Sequence, residues 1–471
     1  MLHISSLPGE YGVGAFGKEA MDFIDMLAKG GFSYWQVLPF CMPDDCHSPY
    51  KSEASFFGNP YFLDLPTLAS EGLLTADELA AAKQKTPYAM EAERLALSRE
   101  TLLRVAAARA ENKAEILQFV KEDAQLECAC RFLALKRANN GAAWQDFYKD
   151  TYSEDDFYYF AFVQYHFLKQ WARIKAYANE RGIAVIGDIP IYVAEDSADV
   201  FGAPDQFLLD EKGHCKEVAG VPPDYFSADG QLWGNPLYDW KRMAADGFSW
   251  WRARLSYSFR LFDGVRIDHF RGIEAYWSVP ATAKTAKEGR WVKGPGMRFV
   301  RMLQEVAGGR TVIAEDLGDI TPAVHQLVKK SGFPGMRVLQ FAFLGDDSSP
   351  HLPHNYPANC VAYTGTHDNN TLLGYVWEMN DGERQRMLQY CGYHGENWDR
   401  CYDTVLQMML RSHAGIVIFP LQDLLGYGAD TRMNTPGKAE GNWCYRVTKE
   451  QLDTLPLEKF RYWNKIYGRT V

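Results

Sequence analysis

Along this chain, apolar and β-branched residues come in short runs, and most runs stop in polar or acidic residues before helical spacing begins. The runs at 34–40 (YWQVLPF), 183–189 (IAVIGDI), 264–268 (GVRID), 311–315 (TVIAE), 336–343 (MRVLQFAF), 359–364 (NCVAYT) and 415–419 (GIVIF) have the length and composition of buried strands. Met1 to Ser5 is expected to be the remnant of another. Amphipathic stretches such as 166–181 and 397–413 lie between the runs, so the pattern is one of parallel β/α units. About eight such units predict an α/β fold of the closed (β/α)8 TIM-barrel type. A doubly wound sheet is the competing arrangement, but no GxGxxG follows an early strand.

Three segments interrupt the alternation. Residues 68–145 are rich in Ala, Leu, Glu and Lys at helical spacing, which predicts a helical insertion whose charges form a solvated face. Residues 190–262 and 276–300 are long connections rich in Gly, Pro and aromatic residues; connections of that length in a compact fold serve as lids or binding loops. The whole of 1–471 is therefore expected to be one barrel with helical and loop-rich subdomain insertions, without internal repeats.

Composition narrows the class. A chain of 471 residues with 47% hydrophobic and 23% charged residues is ordinary for a globular protein. The net charge of −10, with no stripe of Lys and Arg, speaks against nucleic acid as a partner. No uncharged apolar run of about 18 residues occurs, so no membrane span is expected. The start of the chain lacks the pattern of a secretory signal. Nine cysteines form neither a disulfide framework nor a four-ligand zinc site and are expected to be reduced, as in a cytoplasmic protein. No cofactor, metal or obligate protein partner is implied. Thirteen Trp and 26 Tyr fall partly in loop-like segments. There they act either as loop staples or as platforms for sugar faces, which are apolar on one side and rimmed by hydroxyls.

Candidate chemistry lies in the acidic residues at or just past the strand ends: Asp188, Asp268, Glu315 and Asp368. In a β/α barrel these positions converge on one mouth, where unpaired like charges would repel. Glycoside chemistry makes use of such a cluster. It needs a carboxylate nucleophile and a protonated carboxyl as general acid, roughly 5–5.5 Å apart for retention. Arg266 lies two residues before Asp268, so on a strand both side chains share a face and the guanidinium favours an ionised Asp268; a plain buried ion pair is the alternative reading. Glu315 follows an apolar strand and would feel the field of Asp268, and both effects raise a carboxyl pKa. His367, beside Asp368, would be a neutral donor to sugar hydroxyls. These residues do not by themselves specify the sugar or its linkage.

GDIPIYV (187–193), GVRIDHF (264–270), IAEDLG (313–318) and YTGTHDNNT (363–371) resemble the four short regions of the α-amylase clan. SSLPG (5–9), YWQVLP (34–39), SPY (48–50), GVPPDYFSADGQLWGNPLY (220–238), DHFRGIEAYWSVP (268–280), GRWVKGPG (289–296) and RMNTPGKAEGNW (432–443) are similar to glycoside hydrolase family 77, the amylomaltases or disproportionating enzymes. The resemblance runs nearly the length of the chain. It implies a 4-α-glucanotransferase acting on maltooligosaccharides and α-1,4-glucans by a retaining double displacement. Asp268 would be the nucleophile, Glu315 the acid/base and Asp368 the transition-state stabiliser. Arg266, His367, Asp188, Tyr50, Trp233 and Asn434 would meet the glucan or hold those carboxylates. Segment 218–238 would be a lid with Tyr225 and Phe226 near its tip. Two other classes compete: an α-1,4-glucan hydrolase of the same clan, and a non-catalytic glucan-binding protein, for which the intact carboxylate trio would have no use.

Overall fold

The computed structural model describes residues 1–44, 46–223, 227–395, 397–438 and 440–470. Its strands are β1 (Tyr34–Gln36), β2 (Ala184–Ile189), β3 (Glu217–Val221), β4 (Gln231–Pro236), β5 (Gly264–Ile267), β6 (Ala275–Pro280), β7 (Arg290–Lys293), β8 (Val312–Ala314), β9 (Gly335–Val338), β10 (Cys360–Tyr363) and β11 (Ile416–Ile418). Seven of them form one parallel sheet in the order β1-β2-β5-β8-β9-β10-β11. Spatial order follows chain order, as successive β/α units require. The result is a nearly closed barrel of the (β/α)8 type. Strands β5, β8 and β10 are buried along their whole length, which is why β8 and β10 appear in the sequence as continuous apolar runs and β5 departs from one only at Arg266.

The seam between β11 and β1 differs from the expectation of an eighth strand at Met1 to Ser5. Residues Ile4–Ser6 form a 3-10 turn. Met1 and Leu2 instead bridge the two edge strands. The Met1 nitrogen donates to Phe419 O at 2.5 Å, Leu421 N donates to Met1 O at 3.0 Å, and Leu2 N donates to Gln36 O at 3.1 Å. Trp35 Nε1 adds a bond to Leu2 O at 2.8 Å. Two residues satisfy edge groups that a strand would otherwise have to pair.

Within 68–145 lie the helices Ala76–Ala82, Ala92–Arg109, Lys113–Lys121 and Ala124–Ala138. The first opens with a capping box between Thr75 and Glu78. The last three pack on the long helix Glu154–Glu180, and the first packs on the short helix Leu65–Ser70.

The connections 190–262 and 276–300 carry more regular structure than their composition predicts. They contribute to a four-stranded antiparallel sheet in the order β4-β3-β6-β7, and the helices Trp240–Ala245 and Ser249–Leu261 also fall within 190–262. A Gly-containing register shift between Val218 and Gly220 and the Gly234-Asn235-Pro236 end of β4 hide the period-2 signal. Tyr225 and Phe226 lie outside the described residues.

Candidate active site

Strand β5 ends at Ile267, and Asp268 follows with its backbone nitrogen bonded to Ile189 O at 3.0 Å. Arg266, two residues earlier on the same face, bonds Asp268 Oδ1 through one terminal nitrogen at 2.7 Å and Asp188 Oδ2 through the other at 2.6 Å. Asp188 also accepts from Tyr50 OH at 2.7 Å. The Tyr50 hydroxyl lies 3.3 Å from His367 Nδ1, and the two rings stack with centroids 4.8 Å apart. His367 Nε2 faces Asp368 Oδ2 at 3.3 Å, and Asn434 donates to Asp368 Oδ1 at 2.6 Å. A single polar chain therefore runs Asp268–Arg266–Asp188–Tyr50–His367–Asp368–Asn434. Arg266 is almost fully buried with a carboxylate on either side, and those two charges raise its pKa well above the ordinary value against the effect of burial.

Glu315 follows β8 and is fixed separately. Its backbone nitrogen donates to Ile267 O at 3.1 Å, and its carbonyl accepts from Phe270 N at 3.0 Å. The carboxyl accepts from His269 N at 2.6 Å and from Leu317 N at 2.8 Å. His269 has φ 51° and ψ 46°, a left-handed conformation uncommon outside glycine. This local turn directly after Asp268 carries the His269 N–H onto Glu315.

The carboxyls differ in their electrostatic settings. Burial, followed by the field of Asp268, pushes Glu315 up to about 8, against Arg266 and the two backbone donors. Burial would also raise Asp368, but His367 and the Asn434 amide outweigh it and hold this carboxyl well below the usual carboxylate range. Burial opposes charging of His367, yet Asp368 prevails and raises its pKa. The expectation that His367 is a neutral donor to sugar hydroxyls meets a ring whose two nitrogens both face protein partners, beside a carboxylate that favours its protonated form.

Trp233, on β4, sets its ring edge-on to His269, with centroids 4.9 Å apart and an interplanar angle of 83°. It brings the antiparallel sheet to the barrel mouth. Asn434, expected at the glucan, has its amide committed to Asp368, and its backbone nitrogen donates to His367 O at 3.1 Å. Three residues of the site were not among the sequence candidates. His269 orients Glu315 and meets Trp233, Trp443 tilts against both Tyr50 and His367, and Arg432 donates to Asp368 O at 2.6 Å. Adjacency was the available signal: His269 follows Asp268, and Arg432 lies two residues before Asn434. Among the described residues, no group of three or more His, Cys, Asp or Glu is arranged to hold a metal ion, and no helix is long and apolar enough to cross a membrane.

Acidic residues gathered at the C-terminal mouth of a parallel barrel, beside a buried arginine, fit the class of barrel enzymes that work on glycosidic bonds. The sequence profile of the family described as 4-alpha-glucanotransferase matches residues 2–452. A 4-alpha-glucanotransferase of Streptococcus pneumoniae serotype 4 is 42% identical over 497 residues, spanning 100% of this chain and 96% of that protein. The Thermus thermophilus 4-alpha-glucanotransferase is 42% identical over 474 residues, spanning 96% and 95%. The structure of the amylomaltase from Streptococcus agalactiae in complex with acarbose superposes with a TM-score of 0.95 at 33% identity, covering 100% of this chain and 99% of that one. The chain belongs to the 4-alpha-glucanotransferase family, glycoside hydrolase family 77, and its activity is that of a 4-alpha-glucanotransferase.

Proposed function

We propose that the protein moves α-1,4-glucan segments from a donor to the 4-hydroxyl of an acceptor glucan or glucose, by double displacement through a glucosyl ester on Asp268. In the first step Asp268 Oδ attacks the anomeric carbon. The bond from that carbon to the leaving O4 breaks, and protonated Glu315 gives O4 its proton. In the second step the acceptor 4-hydroxyl attacks the ester carbon, Glu315 takes its proton, and Asp268 leaves as carboxylate. Asp368, held ionised, stabilises positive charge developing on the sugar. The observation that carries this reading is geometric: Asp268 is held by Arg266, the buried Glu315 carboxyl is fixed beside it by His269 N and Leu317 N, and the settings push Glu315 up to about 8 and Asp368 down. One carboxyl holds a proton to give at neutral pH, while the other keeps its charge.

Arg266 and Asp188 orient the nucleophile, Tyr50, His367 and Asn434 orient Asp368, and Trp233 offers a ring to the sugar. Segment 218–238, with Tyr225 and Phe226, serves as the lid. Maltooligosaccharides are the substrates this reading implies, and acarbose, held by the Streptococcus agalactiae relative, should occupy the same mouth.

Transfer must outrun hydrolysis. Water at about 55 M outnumbers a millimolar acceptor by about 5 × 10⁴, so a tenfold preference for sugar requires discrimination of about 7–8 kcal/mol. An oriented acceptor can supply it, because well-placed groups reach effective molarities of about 10⁵ M and above. Excluding water under the lid adds to this preference. Pure maltotriose should therefore give glucose and maltopentaose first, with the total of reducing ends nearly constant. Reducing ends that rise in step with glucose would show a hydrolase instead.

A further inference from the structure

Trp377 is the most exposed tryptophan in the chain, with 62% of its surface open to solvent. It stands at the end of the helix Leu372–Glu378, and its ring meets Trp398 edge-on, with centroids 4.8 Å apart and an interplanar angle of 68°. Trp398 is only partly buried. The pair is braced from below by the Arg384 guanidinium, 4.6 Å from the Trp398 centroid. Arg384 is itself tied to Val376 O at 2.9 Å, to the Met379 carbonyl and to Asp381 at 2.8 Å. Single exposed apolar side chains are ordinary, but two tryptophans packed together and open to solvent make an apolar patch, and such patches mark places of contact.

The location indicates the ligand. The helix Leu372–Glu378 is capped by Thr371, three residues beyond Asp368. It packs against Leu421–Leu425 and Ala429–Thr431, and Arg432, next in the chain, bonds the Asp368 carbonyl. Glu378, beside Trp377, acts electrostatically on that same Arg432. The helix that carries Trp377 is thus linked, through Glu378 and Arg432, to the backbone of Asp368.

We propose that Trp377 and Trp398 form a second glucan-holding station, outside the reaction centre, that takes pyranose rings from the far part of a long α-1,4-glucan. The inference rests on the glucan reading given above. An indole face is apolar and wide enough to cover one sugar ring, while the ring's hydroxyls stay hydrated at the edge. The exposed carboxylates of Glu378 and Asp399, next in sequence to the two rings, are available to those hydroxyls.

The test compares wild type with Trp377→Ala and Trp377→Phe on two substrates. Initial rates of disproportionation are measured with maltotriose, and affinity for long amylose is read from its retardation of the native protein in gels. Trp377→Ala should keep its maltotriose rate within about twofold and bind amylose about five- to tenfold more weakly, whereas Trp377→Phe, which keeps a ring, should lose much less. Amylose affinity unchanged in Trp377→Ala, or absent in wild type, would overturn the station. So would a loss of the maltotriose rate in that variant, or a wild-type dimer in sedimentation that the substitution dissolves, since the ring would then serve the fold, the reaction centre or a second copy. A wild type that makes no maltopentaose from maltotriose would instead defeat the glucan reading itself, so the two failures are distinct.

Discussion

In the barrel, Arg266 lies between Asp188 and Asp268 with 6% of its side chain exposed, and the Asp188 side chain is at 0%. In the antiparallel sheet beside it, Arg290 pairs with Glu217 while 61% of the arginine side chain stays in water. The same pairing of residue types does different work in the two places. The buried group cannot fall back on solvent, so its geometry is enforced by the cost of an unpaired charge. The sheet pair is screened and easily replaced by water. The barrel therefore holds the groups proposed to react at set positions. The sheet carries Trp233, a broad contact surface over the mouth, on a frame whose own ion pairs contribute little.

If that division holds, the largest effect belongs to the barrel. Asp268→Asn should lower transfer by about 10⁴-fold with the fold intact, because an amide cannot form the ester. A preparation free of wild type that keeps more than about a tenth of the activity would remove Asp268 from the nucleophile's role.

Glu315→Gln should reduce rates on maltooligosaccharide donors by about 10²–10⁴-fold and on glucosyl fluoride much less, since a good leaving group needs little protonation. Equal losses on the two donors would exclude the acid role. The wild-type rate should fall as pH rises through about 8, where Glu315 loses its proton. The stability effect has a definite sign. A carboxyl whose pKa is raised on folding holds its proton more tightly in the native state. Its contribution is complete below the unfolded value and is lost as pH rises through the folded one, here about 8. Glu315→Gln should therefore gain in unfolding temperature relative to wild type above pH 8, and the difference should shrink toward pH 5.

The direct contrast between the regions comes last. Arg266→Met leaves the fully buried Asp188 with Tyr50 as its remaining partner and the partly exposed Asp268 without its arginine, and should cost about 3–5 kcal/mol in denaturant unfolding. Glu217→Gln in the sheet should stay within about 1 kcal/mol. Similar costs at the two sites would erase the distinction.

Much of the barrel is legible in the chain because its parallel strands are short, buried and followed by polar residues, a signature carried by neighbouring positions. Asp268, Glu315 and the Arg266–Asp268 pairing are visible for the same reason, since strand ends and a two-residue period are local facts. Tertiary structure decided the rest. Only folding brings Tyr50 to Asp188 and His367, positions 138 and 317 apart in sequence, and so links the three carboxylates at the top of β2, β5 and β10 into one network. Only folding sets Met1 and Leu2 as a bridge across the barrel seam instead of a strand, because the partners that satisfy them lie on β1 and beyond β11. The antiparallel sheet joins two local hairpins through the β3–β6 pairing of segments about 60 residues apart, with glycines and a bulge where alternation would show. The sequence by itself thus specified what is settled between near neighbours: strand, helix and the residue types at strand ends. Long-range contact determined which of those residues share a charge, a proton or a ring, because burial and Coulomb energy depend on distance in space rather than along the chain.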